Sequence, residues 1–307
     1  MVYKKQNYRL YYGKQKTTSL TQKLVNNFHF YIQVLHFEDN INIEHSLNFS
    51  LLEKIVKLKP DNNFSQEDAE IFNEIRENHK NVIKKKRILD KFMINKHEIN
   101  ELKFIEDKKI SRYLVYRYKY RFFSKEKRVG EYPPCLQIEP TSICNFRCIM
   151  CYQSDKSFSN KSRGFMNNMS LDLYKKVIDE VEGKVEAITL ASRGEPTLNK
   201  DFEKMLNYSN KKFLALKINT NASMLNENLI HAILSTDIQS IVFSVDAADK
   251  ETYEKIRVNG KFEQIMKNLK LFAQIRKDHY SKSKHIVKMS GVKISKNQSI
   301  NSMEKQF

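Results

Sequence analysis

From Cys135 to Ile294 the chain follows one theme: a short apolar run, a polar loop, then an amphipathic stretch at helical spacing. The apolar runs are Cys135 to Glu139, Ala187 to Ala191, Phe213 to Ile218, Ser240 to Val245 and Ile286 to Ile294. Short runs bounded by Pro, Gly or Asn read as buried strands. Between them, Tyr174, Val177, Ile178 and Val181 recur at i, i+3, i+4, i+7 behind Ser170 as N-cap. Asn199 is the expected cap of a helix through Phe202, Met205 and Leu206. Leu229, Ile233 and Leu234 mark the next helix, and Phe262, Ile265, Met266, Leu269 and Phe272 the last. Strands alternating with helices imply an α/β fold with parallel pairing and right-handed crossovers. Such folds place their ligands at the C-terminal ends of the strands.

The first strand runs directly into the most informative loop. Only four cysteines occur in the sequence, and three of them, Cys144, Cys148 and Cys151, are spaced C-x3-C-x2-C. Thiolates are soft ligands that select zinc, copper(I) or iron–sulfur clusters. A structural zinc site normally closes its tetrahedron with four Cys or His ligands, and an ordinary iron–sulfur cluster also takes four cysteines. This loop supplies three and has no neighbouring His, while Cys135 sits on the preceding strand and is expected to be core packing. The direct reading is a cluster with one iron open for chemistry. A zinc loop that borrows a distant ligand, or three inert buried thiols, remain the alternatives.

This stretch resembles the radical S-adenosylmethionine (SAM) superfamily. Ser192-Arg193-Gly194-Glu195-Pro196, just past the second strand, resembles that family's GGEP segment, with Arg193 in place of the first glycine. Asn219-Thr220-Asn221-Ala222 resembles a T-N-G segment in which Ala222 replaces glycine. Ser244-Val245-Asp246-Ala247, followed by Tyr253, Ile256, Arg257 and Gly260, resembles members whose chains carry a cysteine-rich C-terminal extension. The resemblance implies a [4Fe–4S] cluster on Cys144, Cys148 and Cys151, with SAM as second cofactor on the open iron. Gly194 and Glu195 would meet its amino group. Asn219, Asn221, Ser244 and Asp246 would hold its carboxylate and ribose. Met150 replaces a frequent aromatic residue near the adenine. Arg147 and Lys156 would offset cluster charge. The implied activity is reductive cleavage of SAM to a 5′-deoxyadenosyl radical that abstracts hydrogen from a substrate. It needs an external one-electron reductant of flavodoxin or ferredoxin type. The substrate itself is not legible.

The family's barrel has six β/α units and the pattern here supplies five strands. The expectation is therefore an incomplete parallel (β/α) barrel, truncated after the fifth strand and lacking the auxiliary cysteines. Residues 135–307 would be this core and 1–134 a mainly helical region of unknown role. In that region Val34 to Phe37, with Phe28, Phe30 and Tyr31 before them, reads as either helix or strand. Ser46 to Leu58 reads as a helix, and Ser65 as the cap of a longer one with Ile71, Ile75, Val82 and Leu89 on one side. A further helix is expected from Glu98 to Arg121. Its Tyr113 to Phe123 stretch, where aromatics alternate with Arg and Lys, is expected to pack on the barrel rather than stack bases.

The net charge is +18. The excess is spread over both halves and accompanies abundant Lys, Asn and Ile, a bias an AT-rich coding sequence would produce. The run Lys84-Lys85-Lys86-Arg87 reads as a solvated helix face, so a nucleic-acid partner is not expected. No apolar run is long enough for a transmembrane helix, and Met1-Val2-Tyr3-Lys4-Lys5-Gln6 has no apolar export core. A metal-like cysteine spacing without export signal points to a reducing cytoplasm. Two rival functions stand beside the enzyme: a non-catalytic iron–sulfur protein and a zinc-stabilised nucleic-acid binder.

Overall fold

The computed structural model describes residues 49–85, 92–294, 298–299, 302–303 and 306. The aromatic stretch from Phe28 to Phe37, Lys86 and Arg87 of the basic run, and Leu89 lie outside the described residues. Helix α1 (Phe49–Lys57) buries Leu52 and Ile55, and α2 (Gln66–Lys85) buries Ile71, Phe72, Ile75 and Val82. Ser65 caps α2 as its sequence suggests, its Oγ accepting from Asp68 N at 3.1 Å. The expected helix from Glu98 to Arg121 is two helices, α3 (Lys96–Leu102) and α4 (Ile110–Glu126). Between them the chain leaves the helix: Glu106 turns extended at ψ 141°, and a single 3-10 turn, Asp107–Lys109, leads into α4. Asn95 and Glu98 form a capping box at the start of α3. The Glu98 carboxylate, with no exposed side-chain surface, also pairs with Arg117 at 3.0 Å and Arg121 at 3.4 Å.

Five strands form one parallel sheet in chain order: β1 (Cys135–Ile138), β2 (Ala187–Leu190), β3 (Ala215–Thr220), β4 (Ser240–Ser244) and β5 (Ile286–Ser290). An order without reversal is that of a barrel wall, whereas a doubly wound sheet reverses at a switch point. The strand ends differ from the sequence expectation by a few residues. β3 starts and ends two residues later than its apolar run because Phe213 and Leu214 pack before the first pairing. β5 stops at Ser290, where Gly291 lies against the Val245 carbonyl. The intervening helices are α5 (Leu171–Val181), α6 (Phe202–Ser209), α7 (Glu227–Leu234), α8 (Lys250–Ile256) and α9 (Phe262–His279). Asn199 is not the cap of α6, a place Asp201 takes. Its amide instead donates to the carbonyls of Pro140 and Met169 at 2.6 and 3.0 Å.

The strands alternate between two environments, as the pleat requires. Ile138, Ile188, Leu190, Leu216, Ile218, Ile241, Phe243, Val287 and Met289 share a core with the crossover helices. The opposite, inner face begins with Cys135, Ala187 and Ala215, and there the N-terminal helices close it off. These small residues cluster with Tyr113, Tyr116 and Leu114 of α4. Arg112 adds two bonds to Glu186 at 2.9 and 2.6 Å, just before β2. The aromatic–basic stretch is therefore a packing helix. Among the described residues, no helix is long and apolar enough to cross a membrane.

Removing one partner of a buried ion network leaves the others uncompensated. Glu98→Ala is expected to lower unfolding stability by about 3 kcal/mol, measured by urea titration. A loss under about 1 kcal/mol would show that Arg117 and Arg121 do not depend on it.

Candidate active site at the strand ends

The cysteine loop leaves the C-terminal end of β1 and is fastened on several sides. Phe146 is buried in the crossover-helix core. Arg147 N donates to Val258 O at 2.9 Å and Ile149 N to Ile256 O at 3.0 Å, which ties the loop to the segment after β4. The Asn145 amide donates to Ser223 Oγ at 2.8 Å and its carbonyl accepts from the Asn221 amide at 3.0 Å, which ties it to the end of β3. Gln153 spans the carbonyls of Ser142 and Arg193 at 2.7 and 3.0 Å. The Arg147 guanidinium binds the carbonyls of Cys144 and Phe146, both at 2.7 Å, so it is a brace within the loop.

Cys148 is buried, and Cys144 and Cys151 are half-buried. Cys144 Sγ accepts from Phe146 N at 3.4 Å, and Cys151 Sγ from Gln153 N at 3.5 Å. Burial pushes the Cys144 thiol up to about 11, and the charges of Glu195, Cys148 and Cys151 add to the shift. Burial also raises Cys148, opposed by the nearby Arg257 guanidinium. Buried thiols held this far from ionisation call for a cation to become thiolates. Among the described residues no three His, Cys, Asp or Glu side chains already converge as a metal-binding group. The donor set on the loop nevertheless suits an iron–sulfur group: three soft sulfurs, two with an amide donor, and no competing hard ligand between them. Cys135 lies on the inner face of β1, clustered with the N-terminal helices and apart from this loop.

Gly194 is also required by the packing of the chain itself. A Cβ there would stand 1.9 Å from Thr141 O and 2.7 Å from Ile143 O. The glycine lets the β2 loop press on the backbone leading into Cys144, and Glu195 N donates to Ile143 O at 2.9 Å. The Glu195 side chain, only 3% exposed, is taken up by the chain. Oε1 accepts from Thr197 Oγ1 and Thr220 Oγ1, both at 2.6 Å, and from Thr197 N at 3.3 Å; Oε2 accepts from Asn221 N at 2.7 Å. Burial raises its pKa against the pull of these donors. The departure at Arg193 also has a partner. Its backbone N–H and guanidinium hold the Glu139 carboxylate, the shortest bond being 2.7 Å, and the guanidinium lies over the Phe158 ring.

Ala222 adopts φ 63°, the left-handed conformation that glycine takes without cost. Asn268 of α9 holds this turn by donating to the carbonyls of Ala222 and Ser223 at 2.8 and 3.1 Å. Asp246 is fully buried: Oδ2 accepts from Arg257 Nε at 2.5 Å and Oδ1 from Val292 N at 2.7 Å. Its carboxylate thus orients Arg257 towards Cys148. Asn219 and Ser244 lie on the inner face of β3 and β4, and Asn219 Oδ1 is buried without a partner. Met150 packs partly against the core, while Lys156 is exposed on a one-turn helix. The structure therefore gathers Cys144, Cys148, Cys151, Gly194, Glu195 and Asn221 around one loop. Asp246 joins through Arg257; Asn219 and Ser244 stand beside it on the inner wall. Thr220, Arg257 and Asn268 were quoted in the sequence patterns or passed over there without a role.

Residues 138–295, just over half of the chain, match the Radical SAM superfamily. The chain belongs to that superfamily. Fe-coproporphyrin III synthase of Methanosarcina barkeri is 27% identical over 48% of this chain and 34% of its own length. The mycofactocin maturase MftC of Mycobacterium tuberculosis is 26% identical over 50% of this chain and 38% of its own. The tungsten-containing aldehyde ferredoxin oxidoreductase cofactor-modifying protein of Pyrococcus furiosus is 31% identical over 36% of this chain and 30% of its own. The match thus spans about a third of the length of these curated relatives.

Gly194→Ala must displace backbone, not a flexible side-chain tip. It is expected to cost at least about 2 kcal/mol in urea unfolding. Glu195→Gln turns an acceptor of four bonds into a group with its own donors. A loss of about 1–3 kcal/mol is expected, and an unchanged thermal midpoint would remove Glu195 from its place in this frame.

Proposed function

We propose that this superfamily member binds a [4Fe–4S] cluster through Cys144, Cys148 and Cys151 and holds SAM beside it. With both bound, they supply reductive cleavage of SAM and hydrogen abstraction from a substrate, given electrons from a flavodoxin- or ferredoxin-like donor. The observation that carries this reading is the three-cysteine loop at the strand ends, fastened to the segments after β2, β3 and β4.

The residues divide the work. Cys144, Cys148 and Cys151 donate sulfur, and the amides of Phe146 and Gln153 soften the charge on two of them. Gly194 sets the depth of the loop, and Glu195 fixes the end of β3 against it, so their part in SAM binding is one of positioning. Oε2 of Glu195 keeps one acceptor position beyond its bond to Asn221. Arg257, aligned by Asp246, places a fixed positive charge near Cys148. Asn219, Asn221 and Ser244 offer polar groups to SAM, and Met150 an apolar one to its adenine. The substrate's identity lies outside this reading.

Anaerobic reconstitution with iron and sulfide tests it. The wild-type chain is expected to turn brown and to change its electron paramagnetic resonance spectrum on adding SAM. Cys148→Ala should lose the chromophore and Cys135→Ala should keep it. Zinc without iron, or a cluster blind to SAM, would overturn the assignment. A SAM-responsive cluster that yields no 5′-deoxyadenosine with dithionite would reduce it to binding without catalysis.

A further inference from the structure

Tyr253 of α8 has no exposed surface, and its buried hydroxyl has no hydrogen-bond partner among the described residues. Leaving such a group unpaired is costly. Phenylalanine would fill the same space without that cost, so the hydroxyl needs a reason other than packing. The ring itself is well placed. It lies against Phe262, the centroids 5.5 Å apart. A Cβ at Gly260 would meet the Tyr253 ring at 3.0 Å and the Phe146 ring at 3.2 Å, so the tyrosine sits beside the cysteine loop.

The backbone shows which cysteine this helix faces. Arg147 N donates to Val258 O at 2.9 Å and Ile149 N to Ile256 O at 3.0 Å. The two bonds bracket Cys148 on one segment and Arg257 on the other, which sets those residues opposite each other as in an antiparallel pair. Tyr253 stands one turn before Arg257, whose N–H donates to the Tyr253 carbonyl at 2.7 Å, so both belong to one side of the helix end. Cys148 and Tyr253 share the same buried core. Burial pushes the phenol's pKa up, against the Arg257 charge, and the Cys148 sulfur pushes it further. The phenol therefore stays a donor. The sulfurs of Cys144 and Cys151 each accept an amide, from Phe146 and Gln153, whereas among the described residues no other residue's amide serves Cys148.

We propose that Tyr253 is a positioning residue for the third sulfur: its hydroxyl donates to Cys148 Sγ when that sulfur is a cluster ligand, and together with Arg257 it makes the cluster easier to reduce. This rests on the cluster assignment made above. Reduction adds one electron, and part of its charge falls on the ligand sulfurs. A hydroxyl and a guanidinium beside one of them stabilise the reduced form more than the oxidised one. Asp246 holds the guanidinium in place, and at Cys148 the positive charge outweighs the carboxylate behind it.

The test is a dithionite titration of the anaerobically reconstituted full chain, followed by the electron paramagnetic resonance of the reduced cluster. Tyr253→Phe is expected to lower the ratio of reduced to oxidised cluster about tenfold at a given potential, which is about 59 mV for a one-electron couple. Arg257→Met should shift it in the same direction, and Arg257→Lys, which keeps the charge, by less. Tyr174→Phe, whose hydroxyl is shared with Ser209 instead, should titrate as the wild type does. In the iron-free chain Tyr253→Phe should resist urea at least as well as the wild type. A clear loss there would reveal another partner for the hydroxyl and overturn the proposal. An unchanged potential in Tyr253→Phe at full iron content also overturns it, and leaves the cluster assignment standing. A wild-type chain that takes up no iron–sulfur cluster overturns both. Should Arg257→Met fail to fold, Tyr253→Phe decides alone.

Discussion

A buried carboxylate is costly unless donors surround it, and Glu195 meets that condition only if several segments arrive together. Its four donors come from the β2 loop and from the end of β3, while its own backbone N–H holds the segment entering Cys144. Satisfying one acid therefore fixes three parts of the strand-end mouth at once. The cysteine loop then has little freedom of its own. Phe146 anchors it in the core, and the Asn145–Asn221 and Arg147–Val258 bonds hold its flanks. Such a frame suits a site whose cofactors do the chemistry and whose protein must position them.

The same economy appears at Asp246. A sequence reading gives an acid after a strand to a ligand's hydroxyls. In the folded chain it is spent on Arg257 and the backbone after β5, and the charge presented near Cys148 is positive. The N-terminal helices have a comparable structural part. They carry no motif, yet their aromatic helix covers the floor of the sheet and brings Glu98, Glu101 and Arg117 beneath it.

Much of this was legible beforehand, for reasons that are local. Ligand spacing on one loop is a property of neighbouring residues, so the cysteines stood out. Alternating apolar runs and helical periodicities point to the parallel sheet, with edges misplaced by a few residues: Phe213 and Leu214 pack before the first pairing of β3, and Val292 and Ile294 lie exposed past the end of β5. The partners of buried polar groups were not legible, because they come from residues far apart in sequence: Glu195 with Thr220, Asp246 with Val292, Asn268 with Ala222. Gly194 was noticed for its rarity, but the carbonyl it accommodates belongs to Thr141.

The pair of Arg193 and Glu139 joins the ends of the first two strands. Glu139 closes the first strand and Arg193 follows the second, and the guanidinium is shared between the acid and the Phe158 ring. A glycine at 193 would leave the acid without this partner and uncover the ring, so a change at any one of the three positions bears on the other two.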